Sequence, residues 1–300
     1  MPAETIIRQE PAGDFHDDSA RGDPPDIRLV IADVDGTLVT NDKTLTQRAI
    51  AAVHTLREAG IAFAITSSRP PRGLSMLVKP LGLTTPIAGF NGGMFVHPDM
   101  TIIERHTLPA GITARVIKTI EAHPPLDVWL YRGHDWFVRN RDAPHVAREQ
   151  KAVQFAPTVV PGFDGLLDDA IKVVGVSDDL DAVARCEADM QKAFAHEASP
   201  KRSQPYYLDV THSNANKGFV AAWMSGFLHV PAGQIATIGD QPNDLLMFAK
   251  SGLSIAMGNA NPQVKQQAAH VTESNEEEGF ANAVERFILA AASADTGRKG

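Results

Sequence analysis

Asp33 and Asp35 stand two residues apart in IRLVIADVDGTL, after a largely apolar run and just before Gly36. Two carboxylates that leave a strand end together can divide the work of nucleophile and proton shuttle, and can offer hard oxygen to a divalent cation. Other groups with suitable chemistry recur at similar places along the chain. Ser67 follows the apolar run Ile61 to Thr66, Asn91 follows Pro86 to Phe90 and precedes Gly92 and Gly93, and Lys217 stands in Asn-Lys-Gly. Asp240, Asn243 and Asp244 lie in GDQPND, which follows another apolar run. A nucleophile, a proton shuttle, oxygen ligands for a divalent metal, and donors for equatorial oxygens make up the set that phosphoryl transfer needs.

Each residue also admits a plainer reading. Asp33 and Asp35 suit a solvated turn after a strand. Ser67 suits a helix cap as well as an anion contact, since a helix N-terminus favours both. Asp244 suits the first turn of a helix, Asn91 suits a simple turn, and Lys217 suits the surface. The eleven histidines show no HExxH pattern, which argues against a zinc site.

These residues must be positioned by an alternation of strands and helices. Ile27 to Asp33 reads as a buried strand and Leu45 to Ala59 as a helix stopped by Gly60. Ile61 to Thr66 reads as a second strand, Pro70 to Leu81 as a helix and Pro86 to Phe90 as a third strand. The pattern changes near Met94. Short strands are expected at Met94 to Val96, Thr101 to Glu104, Val128 to Tyr131, Asp135 to Arg139 and Ile171 to Val176, with helices at Gly111 to Ala122 and Leu180 to Ala195. The first pattern resumes near Tyr207, with a helix at Ala215 to His229, a strand at Gln234 to Gly239, a helix at Asn243 to Ser251, and strands at Leu253 to Ala256 and Ala269 to Thr272. The fold class is therefore α/β: a Rossmann-like parallel-sheet domain from 27–93 and 207–292, with an α+β domain inserted at 94–206. Residues 1–26 and 293–300 read as loose tails. In open parallel sheets ligands bind beyond the carboxyl ends of the strands, which puts Asp33, Ser67 and Asn91 on one crevice.

Composition narrows the class of partner. A net charge of −8 with no basic run argues against nucleic acid. No stretch approaches the roughly 20 apolar residues of a membrane span. The single Cys186 excludes an internal disulfide framework and fits a reducing cytoplasm. Trp129, Tyr131, Trp136 and Tyr206 in the inserted part read as packing residues.

In order along the chain, DVDGTL at 33–38, TSSR at 66–69, FNGG at 90–93, NKG at 216–218, GDQPND at 239–244, MGNA at 257–260 and VTESNEEEGFANAVE at 271–285 resemble the motifs of haloacid dehalogenase superfamily phosphatases, specifically the Cof type with a type IIB (C2B) cap. The second motif of that family usually reads Thr-Gly-Arg; Ser67 here keeps the hydroxyl and Ser68 replaces the glycine. The resemblance implies an HAD core domain with a C2B-type cap. It implies that Asp33 forms an aspartyl-phosphate and that Asp35 protonates the leaving alkoxide and then deprotonates water. Mg2+ would be held by the carboxylates of Asp33 and Asp240 and the backbone carbonyl of Asp35. Ser67, Lys217, Asn243 and Asn91 would contact the phosphoryl group, and Asp244 would orient Lys217 or a metal-bound water. The implied substrate is a small phosphorylated metabolite, a sugar phosphate or a cofactor such as pyridoxal phosphate or flavin mononucleotide, enclosed beneath the cap. Two other activities fit parts of the same set: a phosphosugar mutase of the same superfamily, and a receiver-like phospho-aspartate signalling module.

Overall fold

The computed structural model describes residues 26–290. The tails read from sequence lie outside this range apart from Asp26, Ala290 being the last residue described. Strand β1 (Leu29–Asp33) is buried throughout, and its parallel neighbour β2 (Ala62–Thr66) aligns Thr66 with Asp33. Both strands therefore finish at one level. Helix α1 (Gln47–Glu58) between them starts where the Thr46 hydroxyl accepts a hydrogen bond from the Ala49 amide, and it buries Ala49, Ala52, Val53 and Leu56. The stretch 70–81, expected as one helix, is a 3₁₀ turn (Pro71–Leu74) followed by α2 (Ser75–Leu81). Pro70 holds an extended backbone because a residue before proline is pushed from the helical region, so the helical path can begin only at Pro71.

Strands β3 (Ile87–Gly89), β4 (Met94–Val96) and β5 (Ile102–Arg105) follow. Next come α3 (Ala110–Glu121), β6 (Asp127–Arg132), β7 (Asp135–Val138), α4 (Val146–Val153), β8 (Thr158–Val159), β9 (Ala170–Val176), α5 (Leu180–Ala193), β10 (Ser199–Gln204) and β11 (Tyr207–Thr211). Helix α6 (Lys217–Leu228), β12 (Ile235–Gly239), β13 (Leu253–Ala256) and β14 (His270–Val271) complete the strands. Two sheets result, one in the order β14-β13-β12-β1-β2-β3-β4-β5 and one in the order β10-β11-β9-β6-β7-β8. The first is parallel from β14 to β3, and β4 and β5 extend it antiparallel. Because β2 and β12 flank β1, the topological switch lies at the carboxyl end of β1.

Sheet membership differs from the sequence reading at both seams of the insert. Met94–Val96 and Ile102–Arg105 were expected in the inserted part, yet they pair with the first sheet. Tyr207–Thr211 was expected to reopen the core, yet it pairs with β9 and β10 in the second sheet. Alternating apolar residues specify a strand without naming its partner, so only pairing assigns the sheet.

The outer face of the second sheet is covered by α3 and α5, which bury Val116, Ile120, Val183, Cys186 and Met190. Its inner face, carrying Trp129, Tyr131 and Trp136, belongs to the same apolar cluster as Leu74, Leu77 and Phe90 of the first part of the chain. Cys186 is buried, and burial pushes its thiol up to about 12, which makes it an inert packing residue. Among the described residues, no helix is long and apolar enough to cross a membrane.

Candidate active site

At the carboxyl end of β1, Asp33 presents a carboxylate buried to 5% exposure. Lys217, the first residue of α6, reaches it from the opposite side of the crevice, with Nζ 2.8 Å from Asp33 Oδ1 and 2.5 Å from Asp244 Oδ1. Asn216 caps α6 by accepting the Phe219 amide at 2.9 Å, which fixes where Lys217 leaves the helix. Asp244 Oδ2 accepts the backbone amides of Asp240 and Gln241, each at 2.8 Å. Both oxygens of Asp244 are thus engaged, and the GDQPND loop is tied to Lys217 through them. The stretch expected as one helix from Asn243 to Ser251 is a 3₁₀ turn (Pro242–Asp244) followed by a short helix (Leu245–Phe248).

Asp240 lies beside this pair at the end of β12, and Thr37 Oγ1 donates to its Oδ1 at 3.0 Å. Gly36 makes that approach possible: its φ is +79°, and a Cβ there would stand 2.5 Å from Asp240 Oδ2. Gly36→Ala is expected to cost about 1–2 kcal/mol of stability from the left-handed backbone and the displaced carboxylate. A urea midpoint equal to that of the native chain would show that the turn can relax away from Asp240.

Asp33, Asp240 and Asp244 each place an oxygen within 4.8 Å of the others. Burial pushes Asp33 well above the usual carboxylate range; Lys217 opposes this, while Asp244 and Asp240 add to it. Burial and the Asp244 charge likewise push Asp240 up to about 6. Three buried carboxylates against one ammonium leave negative charge unbalanced, and their hard oxygens match what Mg2+ prefers. The donor set therefore fits a divalent cation.

A testable consequence concerns pH. A carboxyl whose folded value exceeds its unfolded value binds protons better when folded, so its ionisation costs stability as pH rises between the two. For Asp240 the window runs from 3.8 to about 6, worth on the order of 3 kcal/mol. Asp35 acts in the opposite sense and lower: its depressed value supplies stability above its ordinary range that is lost only as pH falls through the folded value. With metal chelated, the urea midpoint should be higher at pH 5 than at pH 7.5, and magnesium should raise it most at pH 7.5. A chelated protein more stable at pH 7.5 would contradict this balance.

Asp35 takes different partners from Asp33. Strand β1 ends at Asp33, so the alternation that would keep both side chains on one face stops before Asp35. The Arg69 guanidinium forks it, Nε to Oδ2 at 2.7 Å and Nη2 to Oδ1 at 2.5 Å, and Lys43 Nζ lies 2.6 Å from Oδ1. Burial alone would raise its pKa, but the hydrogen bond and charge of Arg69, with Lys43, hold it below the usual range. Arg69 also donates from Nη1 to the Ala152 carbonyl of α4 at 2.9 Å.

Ser67 is buried at the end of β2 and does not cap a helix: the 3₁₀ turn at Pro71 has no side-chain cap, and Ser67 Oγ accepts the Arg69 amide at 3.1 Å. Ser68, in place of the usual glycine, is not among the residues with positive φ, so this loop has no need of glycine's freedom. Asn91 has φ +55° and donates its amide to the Ser67 carbonyl at 2.8 Å. Asn243 Nδ2 lies 3.5 Å from Asn91 Oδ1. Ser67, Asn91 and Asn243 thus follow three separate strand ends, and Asn91 links the other two.

Several neighbours went unread as site groups. Thr37, Arg69 and Asn259 stand inside motifs that were recognised, and Asn259 Nδ2 donates to the Gly36 carbonyl at 2.9 Å. Lys43 lies in a loop with no local pattern to mark it. Its role depends on where that loop returns in space.

Known proteins resemble this chain over most of its length. Residues 30–284 match the family described as haloacid dehalogenase-like hydrolase. A 5-amino-6-(5-phospho-D-ribitylamino)uracil phosphatase of Bacillus subtilis is 29% identical over 265 residues, covering 87% of this chain and 97% of that protein. An HMP-PP phosphatase of Yersinia enterocolitica is 23% identical over 264 residues, covering 87% of this chain and 95% of that protein. A haloacid dehalogenase-like hydrolase from Bacteroides thetaiotaomicron has a similar structure, with a TM-score of 0.79 at 25% identity over 87% of this chain and 99% of that one. The match runs through both sheets and every motif that supplies Asp33, Lys217 and Asp240, and the chain belongs to the haloacid dehalogenase-like hydrolase family.

Proposed function

We propose that the chain hydrolyses small phosphomonoesters with magnesium, through an aspartyl-phosphate formed on Asp33. The observation that carries this reading is the buried Asp33 carboxylate at the switch point of the sheet, 2.8 Å from Lys217 and beside Asp240. Asp33 would attack phosphorus as the ester P–O bond breaks, and the departing alkoxide would take a proton from Asp35. Water would then attack the phosphorus, passing a proton to Asp35 and releasing Asp33. Ser67, Lys217 and Asn243 would donate to the phosphoryl oxygens, with Asn91 holding the Ser67 loop. Magnesium, held by Asp33, Asp240 and the Asp35 carbonyl, would neutralise phosphoryl charge.

The Arg69 fork keeps Asp35 ionised, the form that accepts a proton from water. Donating to the leaving group requires those contacts to loosen as the ester enters, so that Asp35 first takes up a proton from solvent and then passes it to the alkoxide. The inner face of the second sheet, with α4, would close the leaving-group side, which favours small metabolites over phosphoproteins. We place the activity in the cytoplasm, where the free Cys186 stays reduced.

The test is phosphate release from a panel of sugar phosphates, polyol phosphates, pyridoxal phosphate and flavin mononucleotide, in magnesium and in chelator. Magnesium-dependent release from at least one ester is expected. No release from any would overturn the reading, and transfer to a sugar hydroxyl instead of water would identify a mutase.

A further inference from the structure

Lys43 occupies a backbone position that ordinarily goes to glycine. The chain after Val39 turns back between Thr40 and Thr44: the Lys43 amide donates to the Thr40 carbonyl at 2.9 Å, and the Thr40 amide donates to the Thr44 carbonyl at 3.0 Å. Lys43 closes this turn with φ +70°. A tight turn that ends in a left-handed residue favours glycine or asparagine there, because a longer side chain strains that conformation. The turn is also held from outside. The Asn41 amide donates to Glu276 Oε1 at 2.6 Å, and Asn275 Nδ2 donates to the Val39 carbonyl at 3.0 Å.

This anchored turn delivers a cation to Asp35. Lys43 Nζ lies 2.6 Å from Asp35 Oδ1, and its side chain is 41% exposed. Arg69, the other cation on Asp35, is 7% exposed; it spends its fork on that carboxylate and Nη1 on the Ala152 carbonyl. Of the two, only Lys43 is open to an incoming molecule. Stability does not explain it, since an exposed ion pair adds little and Arg69 already holds Asp35. The carboxylates of the second sheet and α4 have their own partners: Asp209 pairs with Lys172 at 3.2 Å, while Glu149 accepts the Tyr131 hydroxyl and stands against the charges of Lys172 and Arg69.

We propose that Lys43 recognises a second anionic group on the leaving alcohol, so that the chain favours phosphomonoesters bearing one over neutral esters of the same length. The inference rests on the phosphatase reading and narrows its substrate. In that reading Asp35 meets the leaving oxygen. Lys43 shares the same carboxylate, which brings Nζ within about 5 Å of that oxygen, the reach of a substituent a few bonds further along the alcohol. An ester that hydrogen-bonds to Asp35 displaces Lys43 from it. A second anion on the ester then gives the ammonium a new charged partner, which a neutral alcohol cannot supply.

The experiment measures kcat and KM on matched pairs that differ only in a terminal CH2OH or carboxylate: glycerol 3-phosphate with 3-phosphoglycerate, erythritol 4-phosphate with 4-phosphoerythronate, and glucitol 6-phosphate with 6-phosphogluconate. The native chain should show the higher kcat/KM for the acid in at least one pair. In that pair the ratio of acid to polyol should fall about fivefold in Lys43→Met, mainly through KM. It should invert in Lys43→Glu and largely survive in Lys43→Arg. Both esters meet the same enzyme, so the folded fraction cancels in each ratio. Lys43→Gly suits the left-handed turn and should lose the selectivity as Lys43→Met does, which assigns the loss to the ammonium. A ratio within twofold of native in both Lys43→Met and Lys43→Gly, or a native preference for the polyol phosphate in every pair, overturns the role of Lys43 alone. No hydrolysis of these or any other ester by the native chain overturns the phosphatase reading and this role with it.

Discussion

Asp33→Asn is expected to lower phosphate release by roughly 10⁴-fold or more while leaving the chain folded. The amide keeps the size of the carboxylate but cannot act as the nucleophile. Folding should survive because Lys217 retains Asp244 at 2.5 Å. The substitution also removes one of three mutually repelling carboxylates, the one whose burial pushes its pKa well up. The unfolding midpoint in chelator at pH 7.5 should therefore rise or stay level as activity disappears. That opposite movement separates a lost nucleophile from a damaged fold. Activity within tenfold of native, measured as phosphate release in magnesium, would move the nucleophile away from Asp33.

Lys217→Met tests the same site from the cation's side. Its side chain is 1% exposed, and it joins Asp33 to Asp244 at 2.8 and 2.5 Å. Burial disfavours the ammonium, yet Asp244 and Asp33 together outweigh that and raise its pKa, so it is charged throughout the physiological range. Met preserves most of the stem volume, which confines the change to the charge. With that charge gone, buried carboxylates stand uncompensated, and the loss should be about 3–5 kcal/mol in chelator at pH 7.5. Magnesium should restore part of it, because a divalent cation binding the folded state stabilises by mass action. Turnover in magnesium should still fall by about 10³-fold, since a fixed positive charge no longer meets the transferring phosphoryl group. A thermal midpoint equal to that of the native chain in chelator would mean that Lys217 does not hold the carboxylates together.

Much of the frame is legible locally. Leu253–Ala256 has the expected bounds, β1 ends at Asp33, and α1 stops at Glu58, one residue before the expected Ala59 and two before Gly60, which adopts φ +74°. Apolar runs and glycine punctuation are local properties, so they can be read without knowing which segments meet. The unforeseen elements lack those signals. Strand β10 reads SPKRSQ and lies at the edge of its sheet, where charged residues guard an exposed ladder and no apolar alternation is needed. Helix α4 has eight residues and begins at Val146, where His145 supplies no side-chain cap.

For the site, the sequence by itself determined which chemical groups sit at strand ends: Asp33, Ser67, Asn91 and the GDQPND loop all follow apolar runs, and a parallel sheet gathers such ends along one edge. Tertiary structure alone decided their pairing. Asp33 faces Lys217 from a helix that begins 184 residues later (217 − 33), while Asp35, two residues away in sequence, is forked by Arg69. It also decided that Arg69 reaches Ala152 and that Lys172 reaches the carbonyl of Ser68, which ties the second sheet to the loop after β2. Hydrogen bonds and ion pairs act over about 3–4 Å, so they depend on strand order and register across long separations in sequence, which no local pattern encodes.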